Sequence, residues 1–88
     1  MPRAQISQDQ IEKAIEDLKY KLQERLKQKG FGTFASSHEI SGIVTEEYHE
    51  MLEAVEKNNT ESLRWELMDI AVGAIFGIAC IDANTIDW

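Results

Sequence analysis

The sequence predicts an all-α fold, a three-helix protomer that completes a helical bundle by homo-oligomerisation. Three observations carry this. Apolar residues recur at helical spacing in three segments, the breaks between them are short and hold Gly or Asn, and no alternating stretch is long enough for a strand. At 88 residues the chain reads as one domain, residues 1–88, with 43% hydrophobic and 28% charged residues, the balance of a globular protein. Domains this small bury only about 60–65% of their unfolded surface, which is the physical reason to expect partner copies.

The first helix is expected over about residues 7–29. Ile11, Ile15, Leu18, Leu22 and Leu26 step by four, three, four and four, which draws one stripe along it. Gly30, after the basic turn holding Lys27 and Lys29, is the stop. Residues 30–35 then form a loop anchored by Phe31 and Phe34. The second helix is expected over about 37–57, opened by Ser36 and Glu39 as a capping box and closed by Asn58-Asn59. The third is expected over about 61–81, with Thr60 as its N-cap and Glu61 in its first turn. Ile86 to Trp88 read as a tail whose Trp88 docks on a neighbour.

Several function classes are disfavoured at this stage. Sixteen acidic against nine basic residues give a net charge of -7, opposite to what nucleic acid or an anionic membrane attracts. The longest apolar run, Ile70 to Ile81, has twelve residues, short of the roughly 18 to 20 of a membrane span. A single cysteine forms no framework of disulfides and fits a reducing compartment. With no apolar signal segment after Met1, a cytoplasmic location is the expectation.

Charge is divided unevenly. Residues 1–30 hold seven basic and five acidic side chains, whereas residues 31–88 hold two basic and eleven acidic ones. In the second helix Ile40, Ile43, Val44, Tyr48, Met51, Ala54 and Val55 share one arc at 100° per residue, and Glu47 falls inside it. Glu50 lies at its edge. Glu46, Glu53 and Glu56 point away. In the third helix Glu66 and Asp69 share a face that continues through Gly73, Gly77 and Cys80.

A carboxylate in a core stripe costs several kcal/mol unless it is paired or bound to a metal. The simplest partner is a cation, and Lys21 or Arg25 of the first helix are candidates beside Lys57 and Arg64. The sharper reading is that the two acidic pairs converge when the second and third helices pack antiparallel. Converging carboxylates repel each other and require positive charge. An all-oxygen donor set points to magnesium, or manganese, rather than zinc. Magnesium completes its shell with water and phosphate oxygens, so a metal–phosphate substrate follows.

Written out, the pattern is Glu47-Tyr-His-Glu50, fifteen residues, then Glu66-Leu-Met-Asp69. This resembles the ExxE…ExxD signature of the MazG-like all-α nucleotide pyrophosphohydrolases. Thr45-Glu46-Glu47, Glu53-Ala54-Val55-Glu56 and the apolar helix after Asp69 are similar to that family as well, over roughly residues 30 to 81. The resemblance implies hydrolysis of a nucleoside triphosphate to the monophosphate and pyrophosphate by a dimer or tetramer. It makes Glu47, Glu50, Glu66 and Asp69 the magnesium ligands. One carboxylate, Glu47, takes the proton of the attacking water, with Glu46 an outer candidate for that role. The family's basic C-terminal segment has no counterpart after Arg64, so phosphate contacts are expected from Lys21 and Arg25 or from another subunit. A competing class is a non-catalytic helical interaction module that keeps the fold and the metal site. A third is a bundle whose acidic pairs are neutralised by first-helix cations.

The remaining features have plainer readings. Gly73 and Gly77 predict close helix packing, the alternative being room for a flat nucleobase. Trp65 and Phe76 read as core or interface, the alternative being a pocket wall that makes Trp65 a substrate contact. His38 and His49 are expected on the surface, and Cys80 as a small buried residue. Asp82 and Asn84 are placed just past the third helix.

Overall fold

A computed structural model describes residues 2–88 and is all-α, with α1 at Gln8–Lys29, α2 at Ser37–Glu56 and α3 at Thr60–Asp82. No strand occurs among the described residues; a lone parallel bridge joins Ser36 and Asp87. No described helix is long and apolar enough to cross a membrane. The chain divides into two compact units, one ending at Gly30 and the other starting at Phe31.

The first unit is α1. Ser7 caps it with a full capping box: Ser7 Oγ accepts from the Gln10 N–H at 3.1 Å, and Gln10 Oε1 accepts from the Ser7 N–H at 2.8 Å. Along its surface Lys13 pairs with Asp17 and Lys27 with Glu24, exposed contacts worth a few tenths of a kcal/mol each. Gly30 ends the helix at φ 79°, where a side chain would be strained. Ile11 and Ile15 of the apolar stripe are 39% and 46% exposed, and Leu18, Leu22 and Leu26 are half-buried.

The second unit is an antiparallel hairpin of α2 and α3 joined by residues 57–59. Its turn is set by backbone chemistry. Asn58 adopts φ 52°, and the Asn58 N–H reaches the Val55 carbonyl at 3.1 Å while the Asn59 N–H reaches that of Ala54 at 3.0 Å. These are the two bonds of a Schellman motif, with Asn in the left-handed seat that usually takes Gly. α3 ends the same way: Asn84 has φ 58°, its N–H bonds the Ile81 carbonyl, and the Thr85 N–H bonds that of Cys80.

Several local expectations are corrected. The N-cap of α3 is Asn59, whose Oδ1 accepts from the Ser62 N–H at 3.0 Å, and Thr60 is the first helical residue. Both residues suit a cap; with Asn58 already turning the chain, the acceptor that meets the Ser62 amide belongs to Asn59. Ser36 accepts from the Glu39 N–H, but the Glu39 carboxylate takes the Ala35 N–H instead of closing the box on Ser36. Asp82 is the last residue of α3, not beyond it. Phe31 is 77% exposed, so Phe34 alone anchors the entry loop, edge-on to Phe76 with ring centres 5.2 Å apart.

The core between α2 and α3 is built from small groups. Ala54, Val72 and Cys80 are 3–5% exposed, and Gly77 is buried with them. A methyl on Gly77 would lie 3.5 Å from Ile40, and one on Gly73 would lie 3.7 Å from Ile43. The glycines therefore seat the α2 isoleucines directly on the α3 backbone, which is the packing reading of that pair. Tyr48 and Val55, placed in the apolar arc from sequence, are instead 48% and 50% exposed. They lie where the arc rolls away from α3. At the open end of the hairpin the Asp87 N–H donates to the Ala35 carbonyl at 2.8 Å, returning the C-terminal segment to the start of α2. Trp88 beyond it is 89% exposed.

The turn makes a direct prediction. Asn58→Ala should lower the unfolding free energy by about 1 kcal/mol, because Ala resists the left-handed conformation, whereas Asn58→Gly should leave it unchanged or higher. Urea denaturation of the two variants checks this, and equal losses in both would contradict it.

Candidate metal centre

Packing of α2 on α3 carries Glu47 inward together with Ile40, Ile43, Val44 and Met51, all half-buried. From the other helix, Glu66 and Asp69 are half-buried on the face that continues to Gly73, Gly77 and Cys80. One carboxylate oxygen from each of Glu47, Glu66 and Asp69 lies within 4.8 Å of the others. Three of the four residues named as ligands from sequence are thus brought together by two helices.

The fourth stands slightly apart. Glu50 is exposed and outside that set of three oxygens, although its carboxyl is close enough to Glu66 to share a hydrogen bond. One turn along an α-helix is 3.6 residues, so an i+3 partner of Glu47 is displaced around the helix toward solvent. Glu46 is exposed. Trp65 is 49% exposed on α3, while Phe76 packs on Phe34. Lys21 and Arg25 are half-buried side chains of α1, in the other compact unit. His38 and His49 are exposed, and Cys80 is buried, as the sequence indicates.

The electrostatics of the cluster follow from its composition. Oε2 of Glu47 and Oε2 of Glu66 are shielded from solvent, and neither has a hydrogen-bond partner among the described residues. Two ionised carboxylates offer each other no proton, so facing oxygens form a hydrogen bond only when one acid stays protonated. Burial is the largest influence on Glu47 and pushes its carboxyl from the usual 4.5 up to about 7; the facing Glu66, then the charges of Glu50 and Asp69, add to the rise. Glu50 is also raised, chiefly by its contact with Glu66.

Shielded acceptors without donors call for a proton or a cation. The donor set contains oxygen only, with neither nitrogen nor sulfur among the three. That is the chemistry of a hard divalent ion, and magnesium or manganese fits it.

Toward the hairpin turn the cluster adjoins an open groove of about 370 Å³, lined by Glu50, Glu53, Ala54, Lys57, Asn59, Ser62 and Glu66. In the sequence Lys57 stands out only as a neutralising partner for the carboxylates. Its place in this groove depends on the geometry of the turn, for which the Asn58-Asn59 pair was the only signal.

Comparison with known proteins leaves the site to be read on its own chemistry: no family model, no curated protein and no solved structure matches the chain.

The raised Glu47 carboxyl predicts a definite pH dependence. Below pH 4.5 it is protonated in both the folded and the unfolded chain. Between 4.5 and about 7 the folded chain keeps a proton that the unfolded chain has lost, so stability falls as pH rises. In chelator-treated protein, Glu47→Gln should therefore match the wild type near pH 4.5 and exceed it in melting temperature at pH 8. A difference that does not change with pH would contradict this account of the cluster.

Proposed function

We propose that this chain is a magnesium-dependent nucleoside triphosphate pyrophosphohydrolase of the MazG-like kind, acting as a homo-oligomer in the cytoplasm. Its reaction is the conversion of a nucleoside triphosphate to the monophosphate and pyrophosphate, as nucleotide-pool housekeeping. The observation that carries this reading is the convergence of Glu47, Glu66 and Asp69 within 4.8 Å, with two shielded oxygens left without donors. A mere surface cluster would leave its oxygens to water. The spacing of the two acidic pairs supplies the family resemblance, and the shared face of Glu66 and Asp69 supplies its physical sense.

Glu47, Glu66 and Asp69 would hold the ion, with Glu50 beside Glu66 at the solvent edge. Bound there, magnesium would supply Lewis-acid activation of a water and offset the negative charge of the phosphate chain. The protein's own part is to fix the carboxylates on two helices whose backbones are locked together by the Gly73 and Gly77 contacts. Without the ion, burial and the facing carboxylates raise Glu47 to about 7, and a bound cation would lower it again; the general-base role proposed for Glu47 rests on its place beside the ion. Glu46, exposed one residue earlier, is the outer candidate for that role. Lys21, Arg25 and Trp65 remain the proposed substrate contacts from the sequence. Partner copies fit a chain with no fully buried large side chain among the described residues.

The test is pyrophosphate release from a panel of standard and modified nucleoside triphosphates, with and without magnesium. Wild-type protein should release pyrophosphate from at least one of them only when magnesium is present, and Glu47→Gln should lower the rate by at least 100-fold. Folded wild-type protein that hydrolyses none of the panel would overturn the catalytic reading.

A further inference from the structure

The groove beside the carboxylates has two chemically opposite ends. At one end are Glu50 and Glu66, continuous with shielded acceptor oxygens that lack donors. At the other end are donors that lack acceptors. Lys57 is exposed, is the one cation lining the groove, and forms no ion pair among the described residues. Asn59 spends its Oδ1 on the α3 cap, and among the described residues neither its amide nitrogen nor the Ser62 hydroxyl has a hydrogen bond.

Glu53 sharpens the point. It precedes Lys57 by four residues, the favourable order for a helical ion pair, and it lines the same groove. Yet the two are not paired. Lys57 is the C-cap of α2, and its backbone is held by its own N–H to the Glu53 carbonyl and by the Schellman bonds of Asn58 and Asn59. The base of the side chain is therefore fixed at the groove that Lys57 lines. Along α2, Glu50 and Lys57 are separated by two turns, about 10 Å. A polyphosphate chain held by a cation at the carboxylates would bridge that distance together with the reach of a lysine.

We propose that Lys57, with Asn59 and Ser62, forms the phosphate-chain arm of the site and is a substrate-positioning residue. This rests on the metal-site reading above. It also places a phosphate-binding cation within the α2–α3 hairpin itself, in addition to those sought on α1. Arg64, the other cation beyond residue 30, does not line the groove.

Calorimetric titration of the full chain tests this with two probes, manganese alone and then pyrophosphate at saturating manganese. Lys57→Gln should weaken pyrophosphate binding about tenfold or more and leave manganese affinity within twofold, and Lys57→Arg should recover most of the loss. Undiminished pyrophosphate binding by Lys57→Gln would overturn the inference. So would loss of manganese binding in that variant, which would mark a structural role. Wild-type protein that binds manganese but no pyrophosphate defeats the phosphate arm alone; failure to bind manganese defeats the metal site as well.

Discussion

The constraint on which the hairpin turns is electrostatic: packing α2 on α3 presses like charges together. Glu47, Glu66 and Asp69 come within 4.8 Å because the hairpin that buries Ala54, Val72, Gly77 and Cys80 also aims these carboxylates at one another. Apolar burial of this kind contributes roughly 25 cal/mol per Å², and the groups involved are small. Charge held against such a modest core is costly. A proton retained by Glu47 relieves part of the strain, and a divalent cation would relieve more.

The same geometry explains why the turn is built as it is. A three-residue connection keeps the two helices in register, and the left-handed Asn58 supplies its reversal without a glycine. At the opposite end, Phe34 on Phe76 and the Asp87–Ala35 hydrogen bond tie the hairpin's open side. The carboxylates lie between these two fastenings, so the backbone positions that carry them are held in register. Preorganisation of this sort is what lets a site hold charge that would otherwise push it apart.

Much of this was legible in the sequence. Helical periodicity marks all three helices, and the anomaly of Glu47 in an apolar stripe, matched by Glu66 and Asp69, marks the cluster. Local chemistry was less decisive where two adjacent residues suit one role. Asn59 and Thr60 both suit a cap, and only the path of the turn selects Asn59. Angular position alone puts Tyr48 and Val55 in the core, because a wheel of 100° steps does not say where the neighbouring helix ends; the edge position it gives Glu50 agrees with that residue's exposure. The Asp87–Ala35 bond joins residues far apart in sequence and leaves no local signal. The groove at Lys57 depends on three residues around a turn, a juxtaposition that periodicity does not address.

In the function proposed above, these carboxylates are held together for a divalent cation. Manganese titration followed by electron paramagnetic resonance tests it most directly at pH 7.5, where loss of the free-ion signal reports binding. The expected result is saturable manganese binding that magnesium displaces and that Glu66→Gln or Asp69→Asn abolishes without unfolding the protein. A wild-type signal indistinguishable from free manganese, or binding that survives both substitutions, would contradict it.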